Sequence, residues 1–294
     1  MRRLMIIGCG DVGLRVARML KGRRRIYALT RSHDRFALLR AEGVMPVPGD
    51  LDYPQSLSRI GGLAHDVVHL APPPPSGICD SRTGNLITAL AKGGSLPQRL
   101  VYISTSGVYG DCGGAIIDET RRTHPASDRA RRRTDAERRV RQWGIETGVH
   151  VSILRVPGIY SAGRLPLARL RAGTPALLPE RDPYTNHIHA DDLARIVVAA
   201  LARGRGGRAY NASDDSGMRM GEYFDLVANA FDLPRPPRVS WEAAQAQLPE
   251  EQLSFMRESR RLANGRLKKE LRVRLRYPSV RQGVSAARQA ALQS

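Results

Sequence analysis

The sequence predicts an α/β protein: a doubly wound parallel sheet that carries a smaller C-terminal lobe. Three observations carry that prediction. Short apolar runs alternate with helical patterns through most of the chain. A glycine-rich turn joins the first apolar run to the first helical pattern. The length, 294 residues, suits one large core with an unequal second lobe.

Leu4–Gly13 reads LMIIGCGDVG, an apolar run ending in Gly8-Cys9-Gly10-Asp11-Val12-Gly13, and a helical pattern continues through Arg15–Leu20. A glycine triplet at this spacing, between a buried strand and a helix, is the fingerprint of a dinucleotide-binding turn and makes the sheet Rossmann-type. Gly8 allows the tight turn, Gly10 admits a pyrophosphate close to the backbone, and Gly13 lets helix and strand pack closely. With Asp11 and Val12, these residues set the phosphates on the positive end of the first helix.

Arg25–Thr30 is the second strand and ends in Thr30-Arg31-Ser32. A site for NAD places Asp or Glu here against the ribose 2′-hydroxyl, whereas an arginine accommodates a 2′-phosphate. No acid is present, and Arg31 is suited to a charge-assisted bond with phosphate. The expected cofactor is therefore NADP, with NAD second. A helix near Asp34–Ala41, a strand at Met45–Pro48 and a helix near Tyr53–Ile60 follow. Asp50 and Leu51 succeed the third strand, placing the Asp50 carboxylate toward an adenine amino group. Val67–Ala71 is the next strand, and Ala71-Pro72 passes the adenosine and phosphates beyond the strand ends. After a Pro-rich loop come a helix from Asp80 to about Lys92 and a strand at Arg99–Ser104. Asp191–Arg203 reads as a helix, Gly204–Gly207 as a turn and Ala209–Asn211 as the last sheet strand. Gly221–Phe231 and Glu250–Leu262 read as helices flanking the rigid Pro234-Arg235-Pro236-Pro237, and the tail from Val284 as a modest helix. Residues 1–160, joined by about 186–212, make the dinucleotide-binding domain; 161–185 and 213–294 make the smaller lobe.

The formal net charge is +19, yet a nucleic-acid surface does not follow from it. Only Lys21, Lys92, Lys268 and Lys269 are lysines; the other basic residues are arginines spread along the whole chain. Aromatic residues are 5%, so stacking platforms for single strands are scarce. The densest cluster, Arg129–Arg139, carries Asp135 and Glu137 at helical spacing and reads as a solvated helix. No run approaches the ~20 apolar residues of a membrane span, and the apolar stretch after Arg3 is too short for a signal peptide. Cys9, Cys79 and Cys112 form neither a disulfide nor a metal pattern. These features imply a cytoplasmic monomer or homodimer with a small-molecule substrate, no nucleic-acid or membrane partner, and no metal.

Val101–Asp111, VYISTSGVYGD, resembles the segment that carries the catalytic Ser/Thr in extended short-chain dehydrogenase/reductases, the family of nucleotide-sugar epimerases and dehydratases. Leu154–Tyr160 (LRVPGIY), Asn186–Ala194 (NHIHADDLA), Tyr210–Asp214 (YNASD) and Tyr277-Pro278-Ser279 match further segments in family order. The chain is most similar to the smaller atypical members, often labelled nucleoside-diphosphate-sugar epimerases. The resemblance implies NAD(P)-dependent epimerase, dehydratase or reductase chemistry. It implies that Thr105 holds a substrate hydroxyl, and that a Tyr-x-x-x-Lys pair supplies proton transfer and a bond to the nicotinamide ribose.

The pair is altered. Arg129 stands at the tyrosine position and Arg133 at the lysine position. A phenol shuttles protons near neutral pH when a cation lowers its pKa, whereas a guanidinium stays protonated. Arg133 still suits the ribose; Arg129 is no general base. Tyr109, Tyr160 and His187 are the candidate replacements, and His187-x-His189 without a third ligand is weak as a metal site. Arg155, Arg164, Arg169, Arg171 and Arg181, near the family's substrate loops, suggest an anionic substrate. The alternative to an enzyme is a non-catalytic NADP-binding redox sensor that acts through a protein partner.

Overall fold

The computed structural model describes residues 1–292, so the last two residues of the predicted tail helix lie outside the described residues. Seven parallel strands form the central sheet: β1 (Arg3–Ile7), β2 (Arg25–Thr30), β3 (Val44–Pro48), β4 (Asp66–His69), β5 (Arg99–Thr105), β6 (His150–Val156) and β7 (Arg208–Asn211). Their order in space is β7-β6-β5-β4-β1-β2-β3. Leu4 stands opposite Ile26 on one side and Asp66 on the other, which fixes the register of the centre. The chain runs outward from β1 to β3, then returns to start again at β4. That reversal opens a crevice at the carboxyl ends of β1 and β4, where doubly wound sheets bind ligands. Gly8 and Ala71 lie just past those two ends.

Period-two alternation divides the strands between two cores. Leu4 and Ile6 pack with Val16 of α1 (Asp11–Leu20) and with Ile196 and Val197 of α5 (Ala190–Arg203). Met5 and Ile7 face the opposite layer, where Leu86 and Leu90 of α3 (Ser81–Ala91) meet Ala136 and Val140 of α4 (Asp128–Thr147). The short α2 (Arg35–Ala41) adds Leu39 to the first core. Ser127 caps α4, its hydroxyl accepting from the Ala130 amide at 3.3 Å. Asp135 holds Arg138 and Arg139 of α4 as expected, whereas Glu137 is buried and pairs with Arg155 of β6, so this face of the helix is not solvated.

Beyond the sheet, α6 (Met220–Ala230) and α7 (Val280–Leu292) enclose a separate cluster with Tyr160, Leu170, Tyr223 and Phe224. Three expected elements differ. The helix near Tyr53–Ile60 is only a 3₁₀ turn, Pro54–Leu57, followed by turns that run through Gly61 and Gly62. The helix predicted over Glu250–Leu262 stops at Met256; Arg261–Leu262 instead pairs with Ile116–Ile117, a long-range contact that overrides local periodicity. The strand predicted over Val67–Ala71 ends at His69, since Ala71 leaves the sheet to cross the glycine turn. Among the described residues no helix is long and apolar enough to cross a membrane.

Candidate functional site

The glycine turn is built by backbone. Gly8 has φ of +86°, and a Cβ there would stand 2.6 Å from the Ala71 amide nitrogen, so only glycine fits. A Cβ on Gly10 would meet nothing within 4 Å, which leaves open space directly above the helix N-terminus. Gly13 packs against Leu70 and Cys9, with contacts near 3.2 Å for an added Cβ. The first intrahelical bond of α1 runs from the Leu14 amide to the Gly10 carbonyl at 2.9 Å. The amides of Asp11, Val12 and Gly13 therefore point out of the helix without partners, a ready anion cradle. Val12 buries its side chain in the core and contributes only backbone there. Asp11 puts a carboxylate beside this cradle, but Arg15 holds it at 2.8 Å and Arg164 lies 3.9 Å away. The acid is thus neutralised where it would repel phosphate.

A cavity of about 210 Å³ continues from the turn along the ends of β1, β2 and β3, lined by Thr30, Arg31, Asp50, Leu51, Ala71 and Pro72 among others. Of these, Arg31, Asp50, Leu51, Ala71 and Pro72 were expected at a cofactor from the sequence. Arg31 is 71% exposed and stands 4.0 Å from Asp50, free to swing onto a ligand. Two further arginines line the same cavity and were missed. Arg35, at the start of α2, donates to the Cys9 carbonyl at 2.7 Å and so brings its guanidinium over the glycine turn. Arg82 pairs with Asp52 at 2.6 Å and donates to the carbonyls of Pro72 and Pro73, fixing the Pro-rich loop. Arg31 lies before α2 begins, so no helix-face spacing links it to Arg35, and no local pattern in the sequence marks Arg35.

At the other end of the crevice, Thr105 ends β5 and caps a 3₁₀ turn, its hydroxyl accepting from the Gly107 amide at 3.2 Å. A Cβ on Gly107 would touch both Thr105 and Ala130, which brings the first turn of α4 against this corner. Arg133 reaches the sheet ends: its Nη1 donates to the Ile103 carbonyl at 2.9 Å, the Tyr102 hydroxyl at 3.1 Å and the Ala71 carbonyl at 3.4 Å. One guanidinium nitrogen thus ties β5 to the segment that follows β4, at the cofactor-lining Ala71. Its charge also helps burial to push the His69 imidazole down to about 3. Arg129 points elsewhere, its guanidinium 4.0 Å above the Phe255 ring from the smaller lobe.

None of the candidate replacements for the missing phenol reaches this corner. Tyr109 is buried, donates to Asn211 at 2.7 Å and lies under the Arg155 guanidinium; burial raises its pKa. Tyr160 is buried against α7 with its hydroxyl on the Ser279 carbonyl, and burial again raises its pKa, well beyond the usual phenol range. His187 stacks on Tyr223 at 4.2 Å, and desolvation takes it to about 3. His189 accepts from the Asp191 amide as the cap of α5, and no cluster of metal-ligating residues exists among the described residues. Of the arginines expected to face an anionic substrate, Arg155 is a buried bidentate partner of Glu137, and Arg169 spans Gln252 and the Pro175 carbonyl. Both are structural, which corrects their assignment.

The turn, the switch-point crevice and the arginine-lined cavity define a dinucleotide-binding α/β protein. The chain belongs to the NAD dependent epimerase/dehydratase family, whose model matches residues 4–213. Protein YeeZ of Escherichia coli K12 is 27% identical over 139 residues, 47% of this chain and 48% of YeeZ, so about half the length of that relative is spanned. A functionally unknown conserved protein from Silicibacter pomeroyi DSS has the same architecture, with 27% identity, a TM-score of 0.80 and 99% of each chain covered. The fold alone is shared with two more distant structures. UDP-glucose 4-epimerase of Thermotoga maritima, solved with UDP-glucose, is 16% identical with a TM-score of 0.79, over 99% of both chains. RMD of Pseudomonas aeruginosa, solved with NADPH, is 20% identical with a TM-score of 0.74, over 100% of both.

Proposed function

We propose that this chain is an NADP-dependent member of its family, of reductase or epimerase/dehydratase type, acting on a small anionic molecule without a tyrosyl acid/base. The observation that carries the cofactor choice is the ribose end of the cavity: Arg31 and Ser32, not a carboxylate, come directly after β2, and Arg31 and Arg35 line the cavity there. In this reading the amides of Asp11, Val12 and Gly13 hold the pyrophosphate, and Arg31 with Arg35 holds the 2′-phosphate. Asp50 and Leu51 face the adenine, Ala71 and Pro72 line its path, and Arg133 turns its free nitrogens to the nicotinamide ribose. Bound NADP supplies hydride acceptance, and its reduced form hydride donation. Thr105 orients a substrate oxygen through its hydroxyl. Proton transfer has no protein donor in this corner, so solvent or the substrate itself provides it. Fluorescence titration with NADPH and NADH tests the choice. Tighter NADPH binding is expected; equal affinity or a preference for NADH overturns it.

One observation favours the second reading, a redox sensor without turnover: Tyr109 and Tyr160 are buried with their hydroxyls bonded elsewhere, and His187 is buried and stacked on Tyr223. Under this reading the protein binds NADPH yet turns over no substrate, and a partner responds to its cofactor state.

A further inference from the structure

After the helix Gly265–Leu271 the chain runs past α5 to the start of α7. Burial alternates along this segment: Arg272 is exposed, Val273 buried and Arg274 exposed, and Val273 belongs to the core that includes Ile196 and Val197 of α5. The backbone is pinned along its length. Arg203 of α5 donates to the Leu271 carbonyl at 2.7 Å, and Arg195 of α5 donates to the Arg274 carbonyl at 3.2 Å. The amides of Arg276 and Tyr277 both donate to the buried Asp192 carboxylate, at 2.7 and 2.8 Å. A segment held in this way needs no bond from its outward side chains and presents them on a rigid base.

Those side chains, Arg272 and Arg274, line a cavity of about 430 Å³ together with Lys268, beside the apolar Val273, Leu275 and Pro278. Asp215 is the one acid in the wall, and its Oδ1 already accepts from Lys268 and from the Asn264 side chain. Three cations thus share one carboxylate. Among the described residues neither guanidinium has a hydrogen bond or an ion pair, although the nearby Arg195, Arg203, Arg208 and Arg266 are all engaged. Arg272 also has φ of +49° and ψ of +42°, the left-handed region that glycine takes readily after a helix and that strains a residue with a Cβ. Its side chain does not offset that strain by capping the helix, since Arg203 takes the Leu271 carbonyl. A strained residue that presents an unpaired guanidinium to a cavity is accounted for by a ligand in that cavity.

We infer that this cavity is a phosphate site separate from the cofactor crevice, and that it takes a small phosphorylated molecule. Arg272 and Arg274 donate to the phosphate oxygens, Lys268 adds a third positive charge, and the apolar side receives the group that carries the phosphate. The volume suits a small molecule, and among the described residues no aromatic ring lines the cavity to stack the bases of a nucleic acid. It shares no lining residue with the cavity at the glycine turn, so the site stands whether or not the cofactor reading does.

Calorimetric titration with inorganic pyrophosphate tests it in the wild type, Arg274→Gln, Arg272→Gly and the double variant. Each is read with saturating NADPH on the glycine turn, and again without cofactor in a Gly10→Val background. The expected result is one pyrophosphate site that weakens by ~10-fold or more in either single variant, as for loss of a charge-assisted bond, and further in the double. NADPH affinity should be the same in all of them. Arg272→Gly gives a second readout that a structural role would not: removal of the strained residue should leave the melting temperature unchanged or raise it by roughly 2 °C while binding is lost. A clear fall in that temperature would mean that the side chain serves the fold, and would overturn the assignment. So would the absence of pyrophosphate binding, or equal affinity in wild type and Arg274→Gln. Tighter binding of a short oligothymidylate than of pyrophosphate would also overturn it, in favour of a nucleic-acid surface.

Discussion

The two ends of the crevice are specified in different ways. At the glycine turn, function rests on backbone: a positive φ at Gly8, open space at Gly10 and the unpaired amides of α1. Side chains there adjust charge and little else, as when Arg15 neutralises Asp11. At the Thr105 corner the backbone is equally in place, yet the chemistry resides in side chains that a single codon replaces. A guanidinium stands where a phenol transfers protons. A fold can therefore keep its cofactor cradle while its reaction changes, and a family match alone does not carry the activity across.

The largest expected effect breaks the second half of that comparison. Positioned acid/base help is worth ~10²–10⁴ in rate. Wild-type protein should show little or no turnover of common nucleotide sugars with NADP(H), even where the cofactor binds well. The double substitution Arg129→Tyr with Arg133→Lys restores a phenol and the cation that lowers its pKa, and should raise any such turnover by a large part of that range. Robust wild-type activity on these sugars would sink the claim that the corner lacks a proton donor. Turnover that appears only in the double variant would favour the sensor.

Much of the cofactor end was legible because its signals are local. Apolar runs of strand length, a glycine triplet and the absence of an acid after β2 all fall within short windows of sequence. Arg35 escaped because one more arginine in an arginine-rich chain carries no pattern. The Thr105 corner was legible in its residues and illegible in its contacts. Phe255 meets Arg129 across 126 positions of sequence (255 minus 129), and no periodicity encodes such a pairing. The same holds for Arg261–Leu262, whose local pattern is helical and whose partner is a distant strand. Tyr109, Tyr160 and His187 looked available for chemistry because sequence does not report burial.

The next effect tests the backbone half. Gly10→Val should leave a folded protein, since a side chain there meets nothing, and should weaken NADPH by ~100-fold or more through loss of several charge-assisted bonds. Gly8→Ala should behave in the opposite sense and lower thermal stability by a few kcal/mol, from left-handed strain plus the clash with Ala71. Unchanged NADPH affinity in folded Gly10→Val would remove the cradle from the site.

A smaller change sharpens the ribose end. Arg35→Ala should reduce the preference for NADPH over NADH by ~10-fold, with NADH affinity nearly unchanged, and Arg31→Asp should act in the same direction. If Arg35→Ala weakens both cofactors equally, Arg35 shapes the turn through its bond to the Cys9 carbonyl and does not read the 2′-phosphate.

The smallest effect compares how the two halves respond to pH. His69 beneath the cofactor end and His187 in the other half are both taken by burial to about 3, from an ordinary 6.5. Between those values the unfolded chain binds more protons, so their contribution to stability is full above about 6.5 and is lost as pH falls toward 3. Asp214, just past β7, is pushed by burial up to about 8 from an ordinary 3.8. It stays protonated in the fold after the unfolded chain has released its proton, so its contribution is lost as pH rises from 3.8 to 8. His69 and His187, with His189 also pushed down by burial, outweigh the buried carboxyls of Asp214 and Asp182 below 6.5, and Asp214 leads above it. The melting temperature should therefore peak near pH 6.5 and fall by a few degrees on the way to pH 8. Asp214→Asn should flatten that alkaline decline and leave the acid limb, which belongs to both halves. Melting curves from pH 4 to 8.5 decide the matter: a wild-type temperature that keeps climbing through pH 8, unchanged in Asp214→Asn, would mean that Asp214 is ionised in the fold. The buried junction of sheet and lobe would then be wetter than the packing of Asp214 implies.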